Sequence, residues 1–174
     1  DCRKRIMEGL KSADIDIKDI SAIFVTHEHS DHIKGLGVIS RKDSIPVYSA
    51  KGTIEGIFSQ NTLGELPREL FNGISADSDI VIDDLVVHSF NVSHDAAQPL
   101  GFTVSCGEHK VGIATDLGVY DDYIIENLQG LDAMLIEANH DVNLLQVGSY
   151  PYYLKQRILG KKGHLSNAVS YTHL

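Results

Sequence analysis

The chain has 174 residues, the size of a single domain, and its 43% hydrophobic and 22% charged residues are ordinary globular values that argue against disorder. No apolar run approaches the roughly eighteen residues of a membrane-spanning helix, and the charged first ten residues hold no secretory h-region. Two cysteines, Cys2 and Cys106, cannot form a disulfide framework, so a reducing cytoplasm is the expected compartment of this acidic chain, whose net charge is −9.

The chain opens at Asp1 rather than Met, and we expect a truncated reading frame. Ile6, Met7 and Leu10 have helical spacing, without a start signal before them. Ser21 to Thr26 is short, apolar and β-branched, and is predicted as a buried strand. Ile33 to Ser40 is predicted as a glycine-bearing helix, Ile45 to Ser49 as a strand, and Thr53 to Ser59 as a helix. Asp79 to Ile82 and Leu85 to Asn91 are predicted strands around the turn Asp83-Asp84. Gly101 to Ser105 and Lys110 to Thr115 are predicted to form a hairpin around Cys106 to His109. A helix over Tyr120 to Leu128 and a strand over Asp132 to Glu137 follow. Pro151 suits a helix start, because its missing N–H would be unpaired there, and that helix is predicted to run to Leu159. Strands mixed and alternating with helices give an α/β or α+β fold.

Charge is distributed unevenly. From Val142 to Leu174 there is no acidic residue, and Lys155, Arg157, Lys161 and Lys162 contribute +4, leaving −13 on the rest of the chain (−9 − 4). This stretch reads either as a solvated basic helix or as a local anion-binding surface.

The chemistry is concentrated in His27-Glu28-His29-Ser30-Asp31-His32, directly after the first predicted strand. Alternation along extended backbone sends His27 and His29 to the same side, and Asp31 and His32 fall where the chain turns into a helix. Imidazole and carboxylate without thiolate suit zinc, manganese or iron at a hydrolytic two-metal site rather than structural zinc. His94, in Ser93-His94-Asp95, and Asp116, in Thr115-Asp116-Leu117-Gly118, each follow a predicted strand.

A His-x-His-x-Asp-His run after an apolar strand resembles the metallo-β-lactamase superfamily. His94 matches its third-motif histidine and Asp116 its metal-bridging aspartate. A carboxylate there, rather than a cysteine, is typical of the phosphodiesterase and thioesterase branches. Ser93 to Ala97, Glu137-Ala138-Asn139-His140-Asp141, Gly148 to Pro151, Leu154 to Leu159 and Gly163-His164-Leu165-Ser166-Asn167 resemble the YycJ (WalJ, VicX) family, over nearly the whole chain up to Asn167. The resemblance implies an αββα metallo-β-lactamase sandwich, here incomplete. It also implies a bacterial, metal-dependent DNA exonuclease. Members of that family begin with a further β-hairpin and end with further elements, including a histidine that completes the second metal. The chain is therefore expected to be the middle of such an enzyme, a partial domain over residues 1–168, and inactive by itself. Residues 169–174 depart from the family and are expected to be a non-native tail, His173 included.

The resemblance implies that His27, His29 and His94 hold one metal. Asp31 and His32, with the histidine beyond this chain, hold the second, and Asp116 bridges. Two divalent ions are expected, zinc foremost, with manganese or iron as alternatives. Asp31 could also orient or deprotonate the water that the metals activate. Gly163-His164-Leu165-Ser166 and Glu137-Ala138 resemble elements of tRNA-processing relatives, in which the histidine contacts the scissile phosphate or protonates the leaving oxygen, oriented by the glutamate. His164 is accordingly expected to be that group; the alternatives are a metal ligand and a loop histidine beside the N-cap Ser166 or Asn167. His140 is a second candidate for this pocket, while His88 and His109 are expected to be surface residues.

Lys155, Arg157, Lys161 and Lys162 are expected to bind a nucleic-acid backbone. Tyr150, Tyr152 and Tyr153 could stack on bases or serve a core or interface. The leading expectation is a phosphodiesterase acting on DNA through a metal-activated hydroxide. The alternative is a thioester or lactone hydrolase of the same fold, since fold alone does not settle function.

Overall fold

A computed structural model describes residues 2–172, so His173 lies outside the described residues. The chain divides into two compact units. One comprises residues 1–76 and 96–100, the other residues 77–95 and 101–174.

The first unit begins with helix α1 (Arg3–Ser12), whose Arg3 guanidinium makes two hydrogen bonds, of 2.8 and 2.7 Å, to the Asp43 carboxylate. A three-stranded parallel sheet follows, in the order β1 (Ile23–Phe24), β2 (Val47–Ala50), β3 (Phe71–Ile74). Parallel neighbours need crossover connections. These are α2 (Ser30–Ile33) and α3 (Leu36–Asp43) between β1 and β2, and α4 (Lys51–Phe58) between β2 and β3. Val25, Ile33, Leu36, Val47, Ile57, Leu63 and Leu66 form the core.

The predicted strand Ser21–Thr26 is shorter than expected, although the Val25 N–H still bonds Tyr48 O at 2.9 Å and carries the ladder toward the histidine run. The predicted helix Ile33–Ser40 is two helices, broken at Lys34 and Gly35. At Gly37 no side chain fits: a Cβ would lie 2.2 Å from Leu63 O. β3 was not anticipated, because Asn72-Gly73 reads as a turn signal. Its pairing with β2, Val47 to Phe71 through Ala50 to Ile74, overrides that local preference.

The second unit holds a five-stranded sheet in the order β4 (Ser78–Ile82), β5 (Leu85–Asn91), β6 (Leu100–Cys106), β7 (His109–Ala114), β8 (Ala133–Ile136). β4–β5 and β6–β7 are antiparallel hairpins, as predicted, and β7–β8 is parallel across helix α5 (Asp122–Asn127). Tight turns at Asp83 (φ 54°) and Gly107 (φ 58°) close the hairpins. Three helices complete the unit: α6 (Val142–Val147), α7 (Tyr152–Leu159) and α8 (Asn167–Thr172). α6 was not anticipated; Asp141 caps it by accepting the Leu144 N–H at 2.9 Å. The core is Phe90, Val92, Ala114, Leu117, Ile124, Leu128 and Leu165. Among the described residues no helix is long and apolar enough to cross a membrane.

Candidate active site

The histidine run leaves β1 in extended backbone and enters α2 at His29 (φ −61°, ψ 142°). His27 is buried at 1% exposure, and its Nδ1 lies 3.1 Å from the Thr26 hydroxyl, a contact that leaves Nε2 as the ligating atom. The His27 ring centroid is 4.6 Å from that of His29 and 4.1 Å from that of His32. The strand end and the helical turn after it therefore gather three imidazoles, where alternation alone suggests only His27 and His29 on one side. Asp31 Oδ2 is 3.4 Å from His32 Nε2 and is largely exposed.

Glu28, within the same run, received no role from the sequence. Its carboxylate accepts the Ala97 N–H at 2.7 Å, and its carbonyl accepts from Gln60 Nε2 at 2.6 Å. Gly56 lies against its side chain so closely that a Cβ would be 2.6 Å from Glu28 Cγ. Glu28 thus anchors the loop that presents the histidines. Only long-range partners reveal this, so no local signal could have found it.

The second unit assembles another cluster. One ligand atom from each of His94, Asp116 and His164 lies within 4.8 Å of the other two. His94 follows β5, Asp116 follows β7, and His164 follows the loop after α7. Asp116 sits at φ 54°, the left-handed region that aspartate tolerates better than most residues, which turns the chain sharply at the strand end. The His94 ring is 3% exposed as a residue, and its Nδ1 is 3.2 Å from Gly163 O. A carbonyl only accepts, so Nδ1 carries the hydrogen and Nε2 the lone pair. Burial pushes the His94 pKa below the usual histidine value.

Glu137, at the end of β8, joins the pieces. Oε1 accepts the Leu117 N–H at 2.7 Å and the Leu165 N–H at 3.0 Å, while Oε2 lies 2.9 Å from His164 Nδ1. One carboxylate thereby fixes the loops after Asp116 and before α8, and it orients the His164 ring. The bond to Glu137 is the main reason the His164 pKa is raised. His140 hydrogen-bonds Asn167 N through its carbonyl at 2.8 Å, and burial lowers its pKa. His88 pairs with Asp79 at 2.6 Å and His109 with Asp132 at 3.2 Å, both on the surface.

The four basic residues are not equivalent. Lys155 Nζ donates to Gln146 O at 2.7 Å, at the end of α6. Arg157 Nε donates to Asp95 Oδ2. Lys161 and Lys162 are exposed. Tyr150, Tyr152 and Tyr153 lie on the surface rather than in the core.

Imidazole and carboxylate donors without thiolate, in both the histidine run and the His94–Asp116–His164 cluster, fit a divalent metal ion. Residues 4–167 match the model of the "Beta-lactamase superfamily domain". The chain belongs to the beta-lactamase superfamily. Within that superfamily it is 40% identical over 157 residues to "Exodeoxyribonuclease YycJ" of Bacillus anthracis, covering 90% of this chain and 59% of that protein. It is 37% identical over 164 residues to "Exodeoxyribonuclease WalJ" of Streptococcus pneumoniae, covering 94% of this chain and 61% of the relative. The chain therefore spans about three fifths of the length of these curated relatives. Among solved structures, Zn(2+)-bound PqqB from Methylobacterium extorquens superposes with a TM-score of 0.66 at 17% identity, over 84% of this chain and 54% of that one. A diphosphatase from the PhnP family gives a TM-score of 0.66 at 19% identity, over 99% of this chain and 61% of that one. At these identities the likeness shows the fold alone: mixed α/β, with two sheets and flanking helices.

Proposed function

We propose that this chain is part of a metal-dependent exodeoxyribonuclease of the cytoplasm, acting on the phosphodiester backbone of DNA. The observation that carries the reading is the Glu137–His164 pair beside His94 and Asp116, in a chain 40% identical to an exodeoxyribonuclease. A small-molecule hydrolase needs the metal ligands but has no evident use for a glutamate-oriented histidine of this kind, or for the adjoining basic loop.

The proposed metal ligands are His27, His29, Asp31, His32, His94 and Asp116, for two divalent ions, zinc foremost and manganese or iron as alternatives. When bound, such ions lower the pKa of water toward neutrality and offset the charge that develops on a phosphodiester. The chain's own residues supply the rest. His94 presents Nε2 because Nδ1 is committed to the Gly163 carbonyl. Asp31 orients or deprotonates the attacking water. His164 holds its ring by Nδ1 against Glu137 and presents Nε2 to the scissile phosphate, donating the proton there to the leaving oxygen as the P–O bond breaks. Lys161 and Lys162, with Lys155, contact phosphates flanking that bond.

The test compares two substrates under a salt series. Nucleotide release from end-labelled DNA should fall steeply between about 50 and 200 mM salt, as backbone contacts demand. Lactone or thioester hydrolysis by the same preparation should be absent. Robust lactone or thioester turnover with no DNA degradation would replace this reading by the small-molecule hydrolase.

A further inference from the structure

We propose that Arg157 is a positioning residue, acting through Asp95 on the His94 imidazole, and that the segment 157–163 is the brace that holds the strand end Ser93-His94-Asp95. The inference rests on the reading of His94 as a metal ligand, but its geometry stands separately.

Three contacts tie the two segments together. Arg157 Nε donates to Asp95 Oδ2, the Ser93 hydroxyl donates to Lys161 O at 2.8 Å, and His94 Nδ1 donates to Gly163 O at 3.2 Å. The brace is itself fixed: Gly163 N bonds Gly160 O at 2.8 Å, and His164 N bonds Ile158 O at 2.9 Å. Two glycines permit the close approach. A Cβ at Gly163 would lie 2.0 Å from Ile158 O, and one at Gly118 would lie 2.4 Å from Lys161 O. Gly118 N in turn bonds Ser93 O at 2.7 Å, so the loop after Asp116 is held by the same packing. A strip evolved only to meet phosphates needs none of this interlocking.

Asp95 explains why a cation belongs there. Its Oδ1 is 3.4 Å from His94 Nε2, the ring edge that must face a ligand. With the guanidinium on Oδ2, the carboxylate is held in that orientation. Without it, the Asp95 carboxylate can rotate closer to His94 Nε2 and accept a hydrogen there, which competes with the Nδ1–H tautomer that the Gly163 carbonyl selects. Outer-shell partners of metal-binding histidines orient the ring in this way. The rival assignment is a phosphate contact, which the 55% exposed Arg157 side chain could also make.

The two assignments separate in the metal-free chain. ¹⁵N-labelled histidine spectra of the open reading frame that contains this chain, stripped of metal, should show His94 as one Nδ1–H tautomer. Arg157→Ala should average that signal between tautomers, and Arg157→Lys should restore it in part. Zinc affinity, measured by chelator competition, should fall about tenfold in Arg157→Ala. It should fall no further when Asp95→Asn is added, because both changes break one contact. Far-UV circular dichroism checks that each variant folds; if Arg157→Ala does not, the Lys and Asn variants carry the same comparison. An unchanged His94 signal in Arg157→Ala would overturn the proposal, as would additive losses in the double variant. If the protein of the whole open reading frame binds no zinc, the functional reading fails, and the His94 tautomer still decides the positioning role.

Discussion

At the scale of single residues, Glu137 is a carboxylate on which several parts of the candidate site converge. It accepts two backbone N–H groups and the His164 ring from a position only 10% exposed. A buried donor left without its acceptor costs about 1–3 kcal/mol. Glu137→Ala should therefore lower stability on the order of 2–3 kcal/mol in urea unfolding, and Glu137→Gln, which keeps one acceptor, distinctly less. Equal stability of both variants and wild type would remove the hub from the account. Glu137 and His164 were legible in the sequence because two short motifs carry them. Glu28 and Asp95 were not. Their importance lies in partners far along the chain, Ala97 and Arg157, and no local pattern announces such pairs. For the same reason Arg157 and Lys161 look alike in a charge count, yet one is bound to a carboxylate and the other faces solvent.

At the scale of elements, hairpins and the strands leading to His94 and Asp116 were readable from alternation and turn residues. β3 and α6 were not, since tertiary pairing and a single aspartate cap decide them. β5 and β6 hold a tight fit at Gly101, where a Cβ would lie 2.4 Å from the ring of the fully buried Phe90. Gly101→Ala should cost about 1–3 kcal/mol by overpacking. Thermal unfolding measures it, and an unchanged midpoint would show that Phe90 can move aside. In the first unit the Arg3–Asp43 pair ties α1 to α3, and the guanidinium holds the Asp43 carboxyl below its ordinary pKa. A depressed carboxylate pKa stabilises the fold above the unfolded-state value, and the benefit fades as pH falls through the folded-state value. The stability gap between wild type and Asp43→Asn should thus be present at pH 7 and close on acidification below about pH 4. A gap independent of pH would mean the pair contributes packing rather than charge.

At the scale of the whole molecule, the first unit carries the His-x-His-x-Asp-His run, and the second carries His94, Asp116, Glu137 and His164. From Val142 to Leu174 the chain carries four basic and no acidic residues, against a net charge of −9 for the whole, which suits a local grip on a phosphate backbone better than a broad one. The central claim is metal-dependent hydrolysis of DNA by this ligand set. The most direct measurement is nucleotide release from end-labelled double-stranded DNA by the open reading frame that contains this chain, with bound metal quantified alongside. Wild type should degrade the DNA, lose that activity to a chelator and regain it with zinc or manganese. Asp31→Ala and Asp116→Ala should each abolish release and lower bound metal. Full activity with both aspartates removed, or a metal-loaded protein that leaves DNA intact, would contradict the account.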